Sequence, residues 1–322
     1  MVKKSLLLIC IMVVSIMCLL PTGVYSAEPS YNLEVKTIQN RDDFINYYIL
    51  KKENQEVGNK NLIIYLNGSE LTPVIGTNQK NKPYFTSMLN TLNQYCSANF
   101  DMLIPEKINI GQAKDYSNDL KVISHYTVEE RALSAVTVVD DFLSENNYKR
   151  VILVGASDGG AILPKVYNGL KNKGKVSNLI IMAGGGLSQY DDFKLLQQSK
   201  LPNMGVYRKE LLKLDMTMEE IKKDPNSLTK QYLGWPFKRW SSFMDYRPLD
   251  ELLKIDTPIL VLHGDLDIST PVESSRAVEE EFTKKGKKNL SYIEYKGWDH
   301  QLSKHMNIIL KDISDWLRKM NR

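Results

Sequence analysis

Cysteine is nearly absent, with three in 322 residues at Cys10, Cys18 and Cys96. Two of these lie in an apolar leader. Its removal leaves one thiol and no internal disulfide, so the fold has to rest on its hydrophobic core. Histidine is equally scarce at four residues. Without H-E-x-x-H or Cys-x-x-Cys, no metal site is expected. The sequence has no G-x-x-x-x-G-K-[ST] and no G-x-G-x-x-G, the loops that cradle phosphates, so ATP and NAD are not expected as cofactors. Charge of one sign is lacking too. The 42 basic and 38 acidic residues leave +4 with no basic stripe, which gives no electrostatic case for nucleic acid as a partner. No internal repeat is visible, and the single long apolar run excludes a multi-span membrane protein. What remains, 43% apolar and 25% charged, is the composition of a soluble globular chain.

Residues 1–26 read as a signal peptide. Lys3 and Lys4 form its positive end, Ser5 to Leu20 its apolar core, and Val24 and Ser26 the small residues before cleavage at Ala27. The core is short for a span of about 20 residues. The mature protein is therefore expected outside the cytoplasm, secreted and free of the membrane; an uncleaved leader would anchor it there.

Beyond the leader, short apolar runs alternate with helical patterns. Strands are expected at Tyr31–Gln39, Phe44–Lys52, Leu62–Leu66, Phe100–Ile104, Arg150–Val154, Leu179–Met182, Pro258–Leu262 and Leu290–Tyr295. Helices are expected at Tyr84–Tyr95, after the capping box Thr127-Val-Glu-Glu130 with Leu133, Val136, Val139 and Leu143 on one face, and at Asp158–Leu170. Two more follow. One opens at Thr270-Pro-Val-Glu273 with proline first in the helix and ends at Lys284-Lys285-Gly286; the other carries Met306, Ile309, Ile313 and Leu317 on one face. This alternation predicts an α/β fold, a mostly parallel central sheet with helices on both faces. The expected core is 27–186 together with 251–322. Residues 187–250 show no clear strand and read as a helical cap insertion over the sheet's C-terminal edge. Its aromatics either pack on one another or line a pocket. Trp235, Trp240 and, outside the insertion, Trp298 are the candidate substrate contacts.

The decisive segment is Val151-Ile-Leu-Val-Gly155-Ala-Ser157-Asp-Gly159-Gly160. A buried strand runs through G-x-S-x-G straight into a helix, the pattern of a nucleophile elbow. The sharp turn leaves no room for side chains two residues either side of the serine, and it sets the Asp158 N–H at a helix start, where it can donate to an oxyanion. A serine hydroxyl needs a base and an acid to orient that base. Asp267 follows the strand Pro258–Leu262, and His300 follows Leu290–Tyr295. The order Ser157, Asp267, His300 is the one this scaffold uses. Asp265 is the alternative acid and His305 the alternative base; His263 and His125 read as structural. The loop Leu66-Asn67-Gly68-Ser69-Glu70 should supply the second oxyanion donor, the Ser69 N–H first and that of Glu70 second. Asn67-Gly-Ser69 also spells a glycosylation sequon, disfavoured beside a buried strand.

With these residues the chain resembles the α/β-hydrolase superfamily. Gly155-Ala-Ser157-Asp-Gly159-Gly160, Thr257–His263-Gly264-x-x-Asp267 and Gly297-Trp298-Asp299-His300 are similar to the elbow, acid loop and histidine loop of its prolyl oligopeptidase and dienelactone hydrolase branches. Asp299 stands where those relatives have a second glycine, and Asn67 where they have histidine. The resemblance implies acyl transfer to water through an acyl-enzyme on Ser157, with His300 as base and Asp267 orienting it. The first expectation is a secreted serine hydrolase cleaving carboxylic esters. The alternatives are a serine peptidase acting on short peptides and an inactive hydrolase-like binding protein.

Overall fold

The computed structural model describes residues 31–52, 60–77, 83–85, 100–111, 115–202 and 204–320. The leader 1–26, Cys96 and all but the start of the expected helix Tyr84–Tyr95 lie outside them. Tyr84 itself belongs to a three-residue strand, Pro83–Phe85, paired with Ile75–Thr77.

Eight strands form the main sheet: β1 (Tyr31–Asn40), β2 (Asp43–Lys52), β3 (Asn61–Leu66), β4 (Phe100–Pro105), β5 (Arg150–Ala156), β6 (Val176–Met182), β7 (Ile259–Gly264) and β8 (Leu290–Tyr295). Their spatial order is β1-β2-β4-β3-β5-β6-β7-β8. The β1–β2 hairpin and the β2–β4 pair are antiparallel; every later pair is parallel. Parallel central strands are covered on both faces and so read as unbroken apolar runs, as in the buried Val151–Ala156. Successive residues of one strand serve opposite layers. Leu62, Ile64, Val151 and Leu153 join one core, and Ile63, Tyr65, Ile152 and Val154 the other.

Among the described residues, the long helices on the first face are α1 (Val128–Glu145), α2 (Asp158–Gly169) and α3 (Val272–Lys284), with the short helices Leu120–Ser124 and Pro248–Leu252 adding to the same core. The second face is covered by α4 (Met306–Lys319), through Met306, Ile309, Ile313 and Trp316. Two sequence expectations need correction. Leu133 is 65% exposed, because the buried stripe of α1 runs through Val128, Ala132, Ala135, Val139 and Phe142. Thr270 does not cap α3. The helix begins at Val272 after Pro271, and no side chain caps it. At α1 the Thr127 hydroxyl accepts from the Glu130 N–H, as expected, and itself donates to the Glu130 carboxylate.

Residues 187–253 include a layer that meets α2 through Gln189 and Arg239, while Leu249 and Leu252 reach into the core of the first face. They hold the helices Gln189–Gln198, Gly205–Leu211, Leu214–Lys223, Phe237–Phe243 and Pro248–Leu252. The region is not free of strand. Gln231–Tyr232 pairs with Trp235–Pro236 around Leu233 and Gly234, both at positive φ, the backbone a two-residue hairpin demands. Its own core gathers Phe193, Leu196, Leu214, Ile221, Tyr232, Phe237 and Trp240.

Glycine is obligatory where β5 meets α2. A β-carbon on Gly155 would lie 2.5 Å from the Gly159 carbonyl oxygen, and one on Gly159 would collide with the carbonyl oxygens of Leu66 and Asn67. Gly159→Ala is expected to lower unfolding stability in urea by at least about 1–3 kcal/mol, the usual overpacking range. Gly174→Ala, whose β-carbon meets nothing within 4 Å, is expected to stay within about 0.5 kcal/mol of wild type. Equal effects at the two positions would contradict the packing described.

Candidate active site

Ser157 sits between β5 and α2 at φ 54°, ψ −127°. A non-glycine residue there costs about 1–3 kcal/mol and persists only where its surroundings dictate it. Here the Ser157 N–H donates to the Met182 carbonyl at 2.9 Å, and the Ser157 carbonyl accepts from Ala161 N–H at 3.0 Å. The hinge is thus tied to β6 on one side and to α2 on the other. The next N–H, that of Asp158, opens α2.

The loops after β7 and β8 are zipped together. Asp265 N–H donates to the Tyr295 carbonyl, Leu266 N–H to that of Trp298, and Gly297 N–H to the Asp265 carboxylate at 2.6 Å. Gly264 allows this approach, since a β-carbon there would strike the Trp298 carbonyl. Asp265 therefore braces the loops, and Asp267 is left to face His300.

Asp267 is fully buried and satisfied on both oxygens. Its Oδ1 accepts the N–H groups of Ser269 and Thr270 at 2.7 and 2.9 Å. Its Oδ2 accepts from His300 Nδ1 at 2.7 Å and His263 Nε2 at 3.1 Å. Burial alone would raise the carboxyl's pKa. The charges and hydrogen bonds of the two imidazoles win and hold it far below the usual carboxylate range. With its Nδ1 proton on Asp267, His300 turns Nε2 toward Ser157 Oγ at 3.0 Å. Burial pulls the His300 pKa down, but the charge and hydrogen bond of Asp267, helped by Glu70 and Asp158, raise it above the ordinary imidazole value. His263 also bonds the Thr270 carbonyl through Nε2 at 2.9 Å. Two acceptors there fix its proton on Nε2, so the Ser275 hydroxyl donates to Nδ1 at 2.6 Å. His125 is remote, bonded to Glu130, and His305 stacks on Trp298 at 4.0 Å. Asp299, in the histidine loop, pairs with Lys304 and accepts from Gln301 N–H. It lies outside the positive-φ residues, so no glycine is required there.

The loop 66–70 passes beside the serine. A β-carbon on Gly68 would come within 3.3 Å of Ser157 Cβ, and Ser69 follows directly. Asn67 is anchored from two sides. Lys107 Nζ donates to its side-chain oxygen at 2.8 Å, and Arg131 to its carbonyl, also at 2.8 Å. Burial, then Arg131, pushes the Lys107 ammonium down to about 8 against the pull of Glu106. The buried Asn67 amide is committed to this contact, not presented as a sequon.

Sequence reasoning missed what Asp158 does with its side chain. It is buried, and its Oδ2 takes Arg239 at 2.9 Å and the Tyr126 hydroxyl at 3.0 Å, while Oδ1 takes Gln189 at 3.0 Å. Burial opposes ionisation, but Arg239 and Arg131 lower its pKa. Arg239 and Gln189 come from the overlying layer and bond each other at 3.0 Å, so this ion pair latches that layer to the elbow helix. The signal was an arginine inside an aromatic run, Trp235-Pro-Phe237-Lys-Arg239-Trp240. Its guanidinium lies 4.1 Å from the Trp240 ring centroid and 4.3 Å from that of Phe243.

The same packing corrects the tryptophan assignments. Trp240 is buried, donating to the Tyr232 carbonyl. Trp235 lies on Tyr126 at 4.5 Å, and Trp298 is stacked between Tyr295 and His305. None lines the cavity beside Ser157. That cavity, about 20 Å³, is walled by Ser157, Asp158, Ala161, Gly184, Leu187, Gln189, Asp192, Phe243, Tyr246, Pro248 and Thr270. A shallower groove of about 520 Å³ lies outside it, away from Ser157, with Tyr246 in the walls of both. Among the described residues no His, Cys, Asp and Glu cluster fits a metal ion.

The fold has many solved counterparts. An acylaminoacyl peptidase from Pyrococcus horikoshii is similar at TM-score 0.57 and 13% identity, over 89% of this chain and 42% of its own. Est1E from Butyrivibrio proteoclasticus gives 0.55 and 15% over 89% of this chain and 98% of its own. A proline iminopeptidase from Mycobacterium smegmatis gives 0.57 and 12% over 89% and 98%. The chain thus spans about half the length of the acylaminoacyl peptidase. No curated protein sequence matches it. The prolyl oligopeptidase family matches residues 212–321, a span that holds Asp267 and His300 but not Ser157. The likeness to these structures shows the fold, and the family match extends over about a third of the chain, the part that carries Asp267 and His300.

The Arg239–Asp158 pair yields a prediction. Arg239→Met strands a buried carboxylate and is expected to cost about 3–5 kcal/mol in denaturant unfolding. Adding Asp158→Asn should recover much of the loss. Equal additive losses in the double variant would contradict the latch.

Proposed function

We propose that the chain hydrolyses acyl substrates, carboxylic esters first, with Ser157 as nucleophile, His300 as general base and Asp267 holding the imidazole. The observation that carries this is the continuous relay of 3.0 Å from serine to imidazole and 2.7 Å from imidazole to carboxylate. His300 takes the hydroxyl proton as Oγ attacks the carbonyl, then gives it to the leaving group. Water then releases the acid by the reverse proton path. The N–H groups of Asp158 and Ser69 are the proposed oxyanion donors. The peptidase reading is favoured by the family match over residues 212–321 and by an acylaminoacyl peptidase neighbour whose structure carries Z-Gly-Gly-Phe-chloromethyl ketone. A neighbouring Est1E structure carries ferulic acid, which keeps the ester reading first. Export is part of the proposal, supported by the leader, and the N-terminal mass of the mature protein tests it.

Fluorophosphonate should label the wild type and not Ser157→Ala; labelling that survives the substitution would remove the nucleophile. A panel of aryl esters and aminoacyl arylamides, compared by kcat/KM, decides between the two substrate classes. Orders-of-magnitude preference for amides sinks the ester reading.

The pH profile follows from the raised His300 pKa. A raised imidazole stays protonated to higher pH, so the base is lost as pH falls through a value above 6.5. Asp267→Asn removes the main raising charge. It is expected to cut kcat about a thousandfold or more and to move the acid limb of kcat/KM to lower pH. Asp265→Asn should do neither. The reverse pattern would reassign the acid.

A further inference from the structure

We propose that Asp192 selects the acyl group, by receiving a free amino group carried next to the scissile carbonyl. This deepens the hydrolase reading and rests on Ser157 being the nucleophile. Asp192 and Ser157 are walls of one cavity of about 20 Å³, room for roughly one water-sized group. Leu187, Phe243 and Pro248 supply its apolar walls. A small acyl substituent enters there; a bulky one does not.

Asp192 is 5% exposed, and its Oδ1 has no hydrogen-bond partner. The Ser274 oxygen accepts the N–H groups of Gly186 and Leu187 at 2.9 and 3.0 Å. Its own proton is thereby free for Asp192, with which it shares a hydrogen bond. That satisfies one side of the carboxyl only. An unsatisfied buried oxygen costs about 1–3 kcal/mol, and on a residue that walls the cavity beside Ser157 it leaves a place for a donor to complete it.

Charge selects that ligand. Burial pushes the Asp192 carboxyl well above its ordinary range against the Ser274 hydrogen bond, and Asp267, Asp191 and Glu273 push it further, so its protonated form is favoured when the cavity is empty. Glu70 and Asp158 add to the negative field at His300. An anionic acyl group is repelled there. An amine takes the carboxyl proton, and the resulting ammonium pairs with the carboxylate in a field that favours it. The acyl groups so chosen are small aminoacyl groups with an unblocked amine.

The test uses the 2-naphthyl esters of alanine, N-acetylalanine, lactate and propionate, identical in leaving group. Wild type should favour the alanine ester at least about tenfold in kcat/KM over each of the others. In Asp192→Asn the alanine-to-propionate ratio should collapse toward one. Ethylammonium should inhibit wild-type hydrolysis of the propionate ester competitively, which decides the matter even if the variant does not fold. Equal rates on the alanine and propionate esters, preference for lactate as a hydroxyl donor, or a variant that loses all four substrates alike would each overturn the role of Asp192 while leaving Ser157 in place. Absence of hydrolysis on all four, with no fluorophosphonate labelling, would overturn both.

Discussion

The molecule is organised around one strained peptide unit. Ser157 adopts a positive φ, and that conformation exists because everything near it leaves no other. Gly159 admits the Leu66 and Asn67 carbonyls, Gly155 admits the Gly159 carbonyl, Met182 accepts the hinge N–H, and the apolar layers of β3, β5 and β6 fix the strand that feeds it. A cost of about 1–3 kcal/mol is small against the burial of such a core. The sheet therefore dictates where the hydroxyl goes, and the loops after β7 and β8 need only meet it.

They meet it through Asp267. Four donors converge on that carboxylate, two from its own loop and two from imidazoles. A buried charge so fully paired is held in place as well as held ionised. It fixes which nitrogen of His300 carries a proton. His263, one strand-end away, serves the same carboxylate from behind, so the two histidines have unlike tasks set by what each ring faces: a hydroxyl for His300, a closed hydrogen-bond shell for His263.

Much of this was legible in the sequence, because the central strands are buried on both faces and read as plain apolar runs, and because the elbow's glycines follow from sterics. The loop residues Ser157, Asp267 and His300 could be picked out because each follows a strand. The overlying layer was not legible. Its helices pack on one another, so aromatics such as Trp235 and Trp240 had equal claims to core and to pocket. The choice fell to Arg239, whose guanidinium collects those rings on its way to Asp158. Asp192 left no trace either, since an acid in the first turn of a helix is ordinary and only burial sets it apart. Leu133 misled for a simpler reason: a helix repeat of 3.6 lets two stripes be drawn through the same residues, and only packing chooses.

The central claim is that one imidazole proton is held on the Asp267 carboxylate while the opposite nitrogen faces Ser157. Proton NMR tests it most directly. A strongly deshielded N–H resonance should be present in the resting protein, persist in Ser157→Ala, and vanish in His300→Gln while the His263 signal remains. A spectrum without such a resonance at any pH where the protein is folded, or one in which it survives the loss of His300, would contradict the account.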